Sequence, residues 1–295
     1  MATLAIVNPA AGNGRAPRVW EQVRRDVDGV RHWECALSER VGHARDLAVQ
    51  AASMGYERVV AVGGDGTLCE VASGLVGSET ALASVPAGTG NDCVRNFGIP
   101  RDARSAARLA ASGAPRPVDL GEIRTPHAST WFLSVAGFGF DAEVAWRANR
   151  ARRVVGGPGV YVLGVLQALR HYASPTMRLW IDGRVVIEGP IFLVAVANGA
   201  SYGGGMLIAP DARPDDGAFE VCIVHRLSRL EVLRMLPSLY SGGHRHHPAV
   251  EFVRCSELHA ESAEAVRCQA DGELVGTLPA TFTIRPGALR YVTGS

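Results

Sequence analysis

The sequence predicts a chain of class α/β plus β: a nucleotide-binding α/β domain with a parallel sheet, followed by an antiparallel β-sandwich. Three observations predict it. Short β-branched runs alternate with helical patterns through the first third, strand-like runs joined by turn dipeptides fill the remainder, and glycine-rich turns follow the early strands. The expected boundaries are 1–117 for the first domain and 118–283 for a sandwich that takes the substrate, with 284–295 as a strand free to return to the first.

Taken in order, LAIVN (4–8), ERVVAVGG (57–64) and ALASVPAG (81–88) are apolar without alternation, as strands buried on both faces are. PRVWEQVRRDV (17–27) and GHARDLAVQAASMG (42–55) have helical spacing, and Gly55 closes the second. Strand and helix in alternation wind a parallel sheet by right-handed crossovers, and such sheets bind ligands beyond the carboxyl ends of their strands. NPAAGNG (8–14), GGDGT (63–67) and GTGND (88–92) each begin where a strand ends, so three loops are expected around one cleft. From about residue 116, TWFLSVAGFGF, MRLWIDGRVVIEG, PIFLVAVANGA, AFEVCIVHR and FTIRPGALRYV read as strands punctuated by DG, DDG and GGG. GVYVLGVLQALRHY (159–172) is the exception, a helical pattern expected to pack over the second domain.

Composition narrows the function. At 295 residues, 47% hydrophobic and 20% charged, the chain can bury a sizeable core. A net charge of +1 argues against a nucleic-acid surface. No run approaches the roughly 20 apolar residues of a membrane span and the N-terminus has no basic leader, so a cytoplasmic protein is expected. Cys35, Cys69, Cys93, Cys222, Cys255 and Cys268 show neither a CxxC pair nor zinc spacing, and read as reduced, mostly buried thiols. All 30 basic residues other than histidine are arginine. Phosphate chemistry here must therefore use backbone amides, metal ions and arginine, because no Walker, protein-kinase or Schiff-base lysine exists.

Gly63, Gly64 and Gly66 free the backbone at a strand-to-helix turn, where a helix N-terminus adds positive potential, and together they form an anion cradle. Asp65 within it would repel phosphate unless a cation lay between, so its expected work is to hold Mg²⁺. GTGND offers a second cradle, with Thr89 and Asn91 as donors and Asp92 as a further carboxylate. A glycine-rich turn with a solvated acid is the plainer alternative.

NPAAG (8–12), SERVGHA (38–44), GGDGTLCE (63–70), PAGTGND (86–92), VDLG (118–121), GGGMLIAPDARPDDGAFEV (203–221) and DGE (271–273) occur in this order over nearly the whole chain. In that set the chain resembles the bacterial diacylglycerol kinases and lipid kinases, which share a catalytic domain with sphingosine and ceramide kinases. GGDGT alone would also suit NAD kinases or phosphofructokinases.

The resemblance implies ATP- and Mg²⁺-dependent phosphorylation of a lipid hydroxyl, with diacylglycerol leading. It implies that Asn8, Pro9, Ala10, Ala11 and Gly12, together with Gly63, Gly64, Asp65, Gly66, Thr67 and Glu70, line the nucleotide, joined by Ser38, Thr89, Asn91 and Asp92. Ser38 stands where the family usually has Thr and keeps the hydroxyl, whereas Cys69 stands where it commonly has Asn and gives up an amide. RPDDGA (213–218), on its own a tight turn, becomes by resemblance a structural Mg²⁺ loop of the second domain, with the Asp216 carboxylate and the carbonyls of Arg213 and Ala218 as ligands. ADGE (270–273), on its own a hairpin turn, gains Glu273 as general base, with Asp271 supporting it or the catalytic metal.

The resemblance further implies a cytoplasmic enzyme peripheral at the inner membrane surface and allows a homodimer. A sphingoid-base or other lipid kinase stays open beside it. So do an NAD kinase, which NPAAG and the DDG loop disfavour, and a non-catalytic nucleotide-binding module, which the retained Asp65, Asp216 and Glu273 disfavour. HRHHP (244–248) reads as a polar loop, because no carboxylate or Cys stands at ligand spacing. RANRARR (147–153) reads as a solvated face that could lean on anionic headgroups.

Overall fold

The structure is a computed structural model that describes residues 2–27, 33–152, 165 and 167–294. They form two compact units, one of residues 1–120, 214–216 and 285–295, the other of 121–213 and 217–284.

In the first unit, β1 (Thr3–Val7), β3 (Arg58–Gly63) and β4 (Ala81–Pro86) are buried along their whole length. With β2 (Trp33–Leu37) they run parallel in the order β4-β3-β1-β2, in register through Thr3↔Trp33, Thr3↔Arg58 and Arg58↔Ala81. The chain end extends this sheet, since Tyr291 of β15 (Ala280–Val292) pairs with Leu82 in parallel. On one face, α1 (Ala16–Val27) and α5 (Ala103–Ser112) set Trp20, Val23, Ala107 and Ala110 against Val7, Val60 and Val85. Each fully buried valine there is worth about 1.5–3 kcal/mol. α2 (His43–Ser53) and α3 (Asp65–Leu75) cover the other face. Gly55, at φ +79, ends α2 as its sequence predicts. Arg58 is buried, and its guanidinium caps the end of α5 by donating to the carbonyls of Ala110 and of Gly113 (2.8 Å).

The second unit is antiparallel. β7 (Val135–Gly139) and β10 (Phe219–His225) flank the second half of β9 (Arg184–Ala197), with β13 (Arg267–Ala270), β14 (Glu273–Thr277) and β11 (Val250–Cys255) outside them. The first half of β9 pairs with β8 (Thr176–Ile181), which leads through β12 (Glu257–Ser262) to the start of β15. Phe132, Phe138, Phe219 and Phe282 fill the core between these layers, Phe132 stacking on Phe219 at 5.6 Å.

Several segments differ from their reading. TWFLSVAGFGF is two strands, β6 (Ser129–Phe132) and β7, while the segments read as RVVIEG and PIFLVAVA are one continuous β9. Four helices went unpredicted: the short α4 (Asp92–Asn96), the alanine-rich α5, α6 (Phe140–Arg152), whose start shares the strand-like run GFGF, and the seven-residue α7 (Arg229–Met235), too short for its period to show. Most of the expected 159–172 helix lies outside the described residues, though 167–171 are helical. HRHHP is a 3₁₀ turn rather than a wholly polar loop: His244 is buried, its Nε2 3.1 Å from the Ile208 carbonyl. No disulfide joins the cysteines; four are buried, Cys69 is half-buried and Cys35 is exposed.

Candidate functional site

Three loops leave the carboxyl ends of β1, β3 and β4, and their glycines let them lie against one another. A Cβ on Gly12 would stand 2.0 Å from the Ala87 carbonyl oxygen, and one on Gly88 would stand 2.5 Å from the Gly64 Cα. The glycines at 12 and 88 are therefore required by loop-to-loop packing, a demand additional to ligand approach. Gly66 is different: a Cβ there would meet nothing within 4 Å among the described residues, so this exposed backbone is left open to a ligand.

Polar side chains stitch the loops. Asn8 donates from Nδ2 to the buried Thr67 hydroxyl (2.9 Å) and accepts the Ala10 amide on Oδ1 (3.0 Å). Arg15 donates to the carbonyls of Gly12 (3.0 Å) and Gly88 (3.3 Å), bridging the first loop to the third. Asn91, in the left-handed region at φ +53, donates to the Gly88 carbonyl at 3.2 Å. Asp65 opens α3, and its Oδ1 accepts the Cys93 amide (3.0 Å) in α4 (Asp92–Asn96). Asp92 lies 4.0 Å from Arg95. A point where Gly90 would carry a Cβ is 3.0 Å from Asp65 Oδ2 and 3.8 Å from Asp92 Oδ2. Two carboxylates thus converge beside the glycine-rich turn, a donor set of hard oxygens that fits Mg²⁺.

The remaining nucleotide positions divide. Pro9, Ala11 and Gly12 are half-buried on the first loop, with Ala10 exposed; Gly63 is buried in the second, and Thr89 is exposed on the third. Ser38 is buried, its amide donating to the Val7 carbonyl at 2.9 Å. Glu70 does something its motif did not suggest. Its carboxylate accepts the amides of Gly42 (2.9 Å) and Ala44 (3.2 Å), capping α2 and fixing the 38–44 loop.

Pro214–Asp216 group with the first unit, whereas the sequence reading gave the DDG loop to the second. Asp119 explains the attachment. It is buried, donates its amide to the Pro214 carbonyl (2.8 Å) and accepts the Gly287 amide on Oδ1 (2.8 Å). Arg213 and Asp216 are exposed and Ala218 half-buried.

ADGE is a two-residue hairpin turn between β13 and β14. Ala270 pairs with Glu273, and both Asp271 (φ +47) and Gly272 (φ +88) are left-handed. Asp271 accepts three backbone amides, from Leu133 (2.7 Å), Ser134 (2.9 Å) and Val135 (3.0 Å). That makes it the anchor of the turn, a duty beyond the supporting role expected of it. Glu273 is exposed at the first position of β14.

Behind the turn lies a chain the sequence reading passed over. Gly272 donates to Gln269 Oε1 (2.8 Å), and Gln269 donates from Nε2 to Asp141 Oδ2 (3.2 Å). Asp141 sits among apolar residues at the start of α6, and burial pushes its carboxyl up to about 7. Its only sequence signal was an acid inside the apolar run FGFDAEV.

Asp141 and His244 are the polar walls of an otherwise apolar cavity in this unit, lined by Phe140, Val144, Phe192, Val232 and Leu239 among others. His244 Nδ1 is buried without a hydrogen-bond partner among the described residues, and burial lowers the ring's pKa. Of the 147–153 stretch, the side chain of Arg147 is described: it pairs with Glu143 at 2.8 Å. Residue 153 and the side chains between lie outside the description.

Among known proteins, a model of the diacylglycerol kinase catalytic domain matches residues 2–123, and one of the YegS C-terminal NAD kinase beta sandwich-like domain matches 134–293. A Mycobacterium tuberculosis protein named diacylglycerol kinase is 33% identical over 98% of this chain and 94% of its own. A Pseudomonas aeruginosa protein named a probable YegS-like lipid kinase is 33% identical over 92% of this chain and 89% of its own. In three dimensions the chain is similar to a Bacillus anthracis structure assigned as a diacylglycerol kinase, with a TM-score of 0.81 at 24% identity, covering 99% of this chain and 97% of that one.

Proposed function

The chain belongs to the family of diacylglycerol kinases and YegS-like lipid kinases, and from that premise we propose that it transfers the terminal phosphoryl group of ATP to the hydroxyl of a lipid alcohol, diacylglycerol first. The observation that carries this reading is the set of three interlocked loops, with an open backbone at Gly66 and the carboxylates of Asp65 and Asp92 converging beside Gly90. The apolar cavity of the second unit supports a lipid rather than a polar acceptor.

Phosphoryl transfer asks a protein mainly for positioning and charge neutralisation. Mg²⁺, when bound, supplies that neutralisation at the phosphate oxygens. Asp65 and Asp92 are the residues that would hold it. In a chain without lysine, amides of the first and third loops and of the GGDGT turn bind the phosphates, and Arg15 braces two of these loops. Glu273 accepts the proton of the acceptor hydroxyl, and Asp271 holds the turn that presents it. The Asp216 carboxylate with the carbonyls of Arg213 and Ala218 is our assignment for a structural Mg²⁺ loop; Asp216→Ala then blunts the rise in melting temperature on adding Mg²⁺, and an unchanged rise removes the assignment.

The test offers labelled ATP and Mg²⁺ with diacylglycerol, sphingosine, ceramide, monoacylglycerol and NAD in mixed micelles. Phosphatidic acid is the expected product. Phosphorylation of NAD alone would overturn the reading, and tight ATP binding with transfer to nothing would replace it with a nucleotide-binding module.

A further inference from the structure

Helix α7 and the 3₁₀ turn Leu236–Tyr240 that continues it are apolar on two sides. Their inward residues, Val232, Met235, Leu236 and Leu239, line the cavity described above. Outward stand Leu230, Leu233, Pro237 and Tyr240, recurring at steps of three, four and three residues. Leu230 is 55% exposed, Leu233 42% and Tyr240 60%. An element apolar on its core side gains nothing for folding from a second apolar side, so the outward residues answer to something other than the core.

The charges in the segment that carries them are mostly positive. Arg226, Arg229, Arg234 and Arg245 lie exposed in the segment 226–247, and Glu231 is its one acid. That carboxylate is occupied, because it accepts the Ser228 amide (2.8 Å) in a capping box that fixes the start of the helix. Arg245 pairs with Asp211, and Arg229 donates to the Arg170 carbonyl at 2.8 Å, which brings a further exposed arginine alongside. Close by, His225 lies 3.3 Å from the Glu251 carboxylate.

We propose that this face docks on an anionic bilayer. Leu230, Leu233 and Tyr240 enter the boundary between headgroups and acyl chains, and Arg226, Arg229 and Arg234 meet lipid phosphates. Large apolar side chains ringed by arginine are the composition that interfacial helices use, and tyrosine is at home at headgroup depth. A second copy of the chain would bring its own arginines to the same ring, so charge favours lipid. Continuity adds to this, since the inserted element is also a wall of the apolar cavity. The inference rests on the lipid-kinase reading and supplies the route by which such an enzyme reaches an insoluble acceptor.

Flotation with phosphatidylcholine vesicles, with or without about one third phosphatidylglycerol, tests it without any turnover. The native protein floats with the anionic vesicles, less as salt rises, and little with phosphatidylcholine alone. Leu230→Ser/Leu233→Ser lowers the bound fraction about tenfold or more, while Val185→Ser, at an exposed apolar residue elsewhere in the same unit, leaves it unchanged. Melting curves confirm that both variants fold. The proposal falls if the double variant floats like native protein or if native protein ignores anionic vesicles. It also falls if the double variant converts a native dimer to monomers with flotation unaltered, which would make the face a contact between copies. Failure of the lipid-kinase reading shows separately: native protein that floats yet phosphorylates no short-chain, water-soluble diacylglycerol retains the docking face and loses the function.

Discussion

Asp271 and Glu273 stand two residues apart on one turn, and the same chemical change should affect them in different ways. Asp271→Asn leaves one acceptor oxygen where two served three amides, so stability should fall by about 1–3 kcal/mol, measured by urea unfolding. Glu273→Gln alters an exposed side chain. Melting should hold while kcat drops by about 10²–10⁴ with the affinity for ATP intact, and turnover within a few-fold of native would return ADGE to a mere turn. The contrast also shows how far a motif can be read. Asp182-Gly183 makes the same left-handed hairpin turn between β8 and β9, its Asp accepting the amides of Ser256 and Glu257. The dipeptide foretells the turn in both places, because only such residues tolerate positive φ. Nothing local says at which of the two a base is to be expected; that expectation came from the order of motifs along the whole chain.

At the scale of elements, the loops make two glycines experimentally distinguishable. Gly88→Ala drives a Cβ into the Gly64 backbone and should lower the melting temperature by several degrees. Gly66→Ala meets open space and lies in the first turn of α3, so melting should stay level or rise slightly. If the open backbone receives phosphate, its affinity for ATP, read by calorimetry, should drop markedly. Equal melting of the two variants would show that the loops are not packed as described. The strands β1, β3 and β4 and the helices α1 and α2 were legible because their burial follows from period alone. Glu70 as a helix cap and Asp119 as the anchor of the DDG loop were not, since each depends on a partner 26 or more residues away.

Across the whole molecule, two buried titratable groups pull stability in opposite directions with pH, and Asp141 offers the sharper test. Its carboxyl is raised to about 7 by burial, so the folded chain keeps a proton that the unfolded chain releases near pH 4. The stability it contributes is complete below about pH 4, declines as pH rises towards 7, and is level beyond. His244 has the reverse sign: its lowered pKa costs stability as pH falls through the ordinary histidine range. Comparing Asp141→Asn with native protein cancels the His244 contribution. Asparagine cannot ionise, so the stability of the variant relative to native should rise by about 2–3 kcal/mol between pH 5 and pH 8, at about 1.4 kcal/mol per unit inside the window. Urea unfolding at both pH values measures it. A gap that stays flat would mean the carboxyl is already ionised at pH 5, and the Asp141–Gln269–Gly272 chain would then brace the Glu273 turn as a charged link rather than a neutral one.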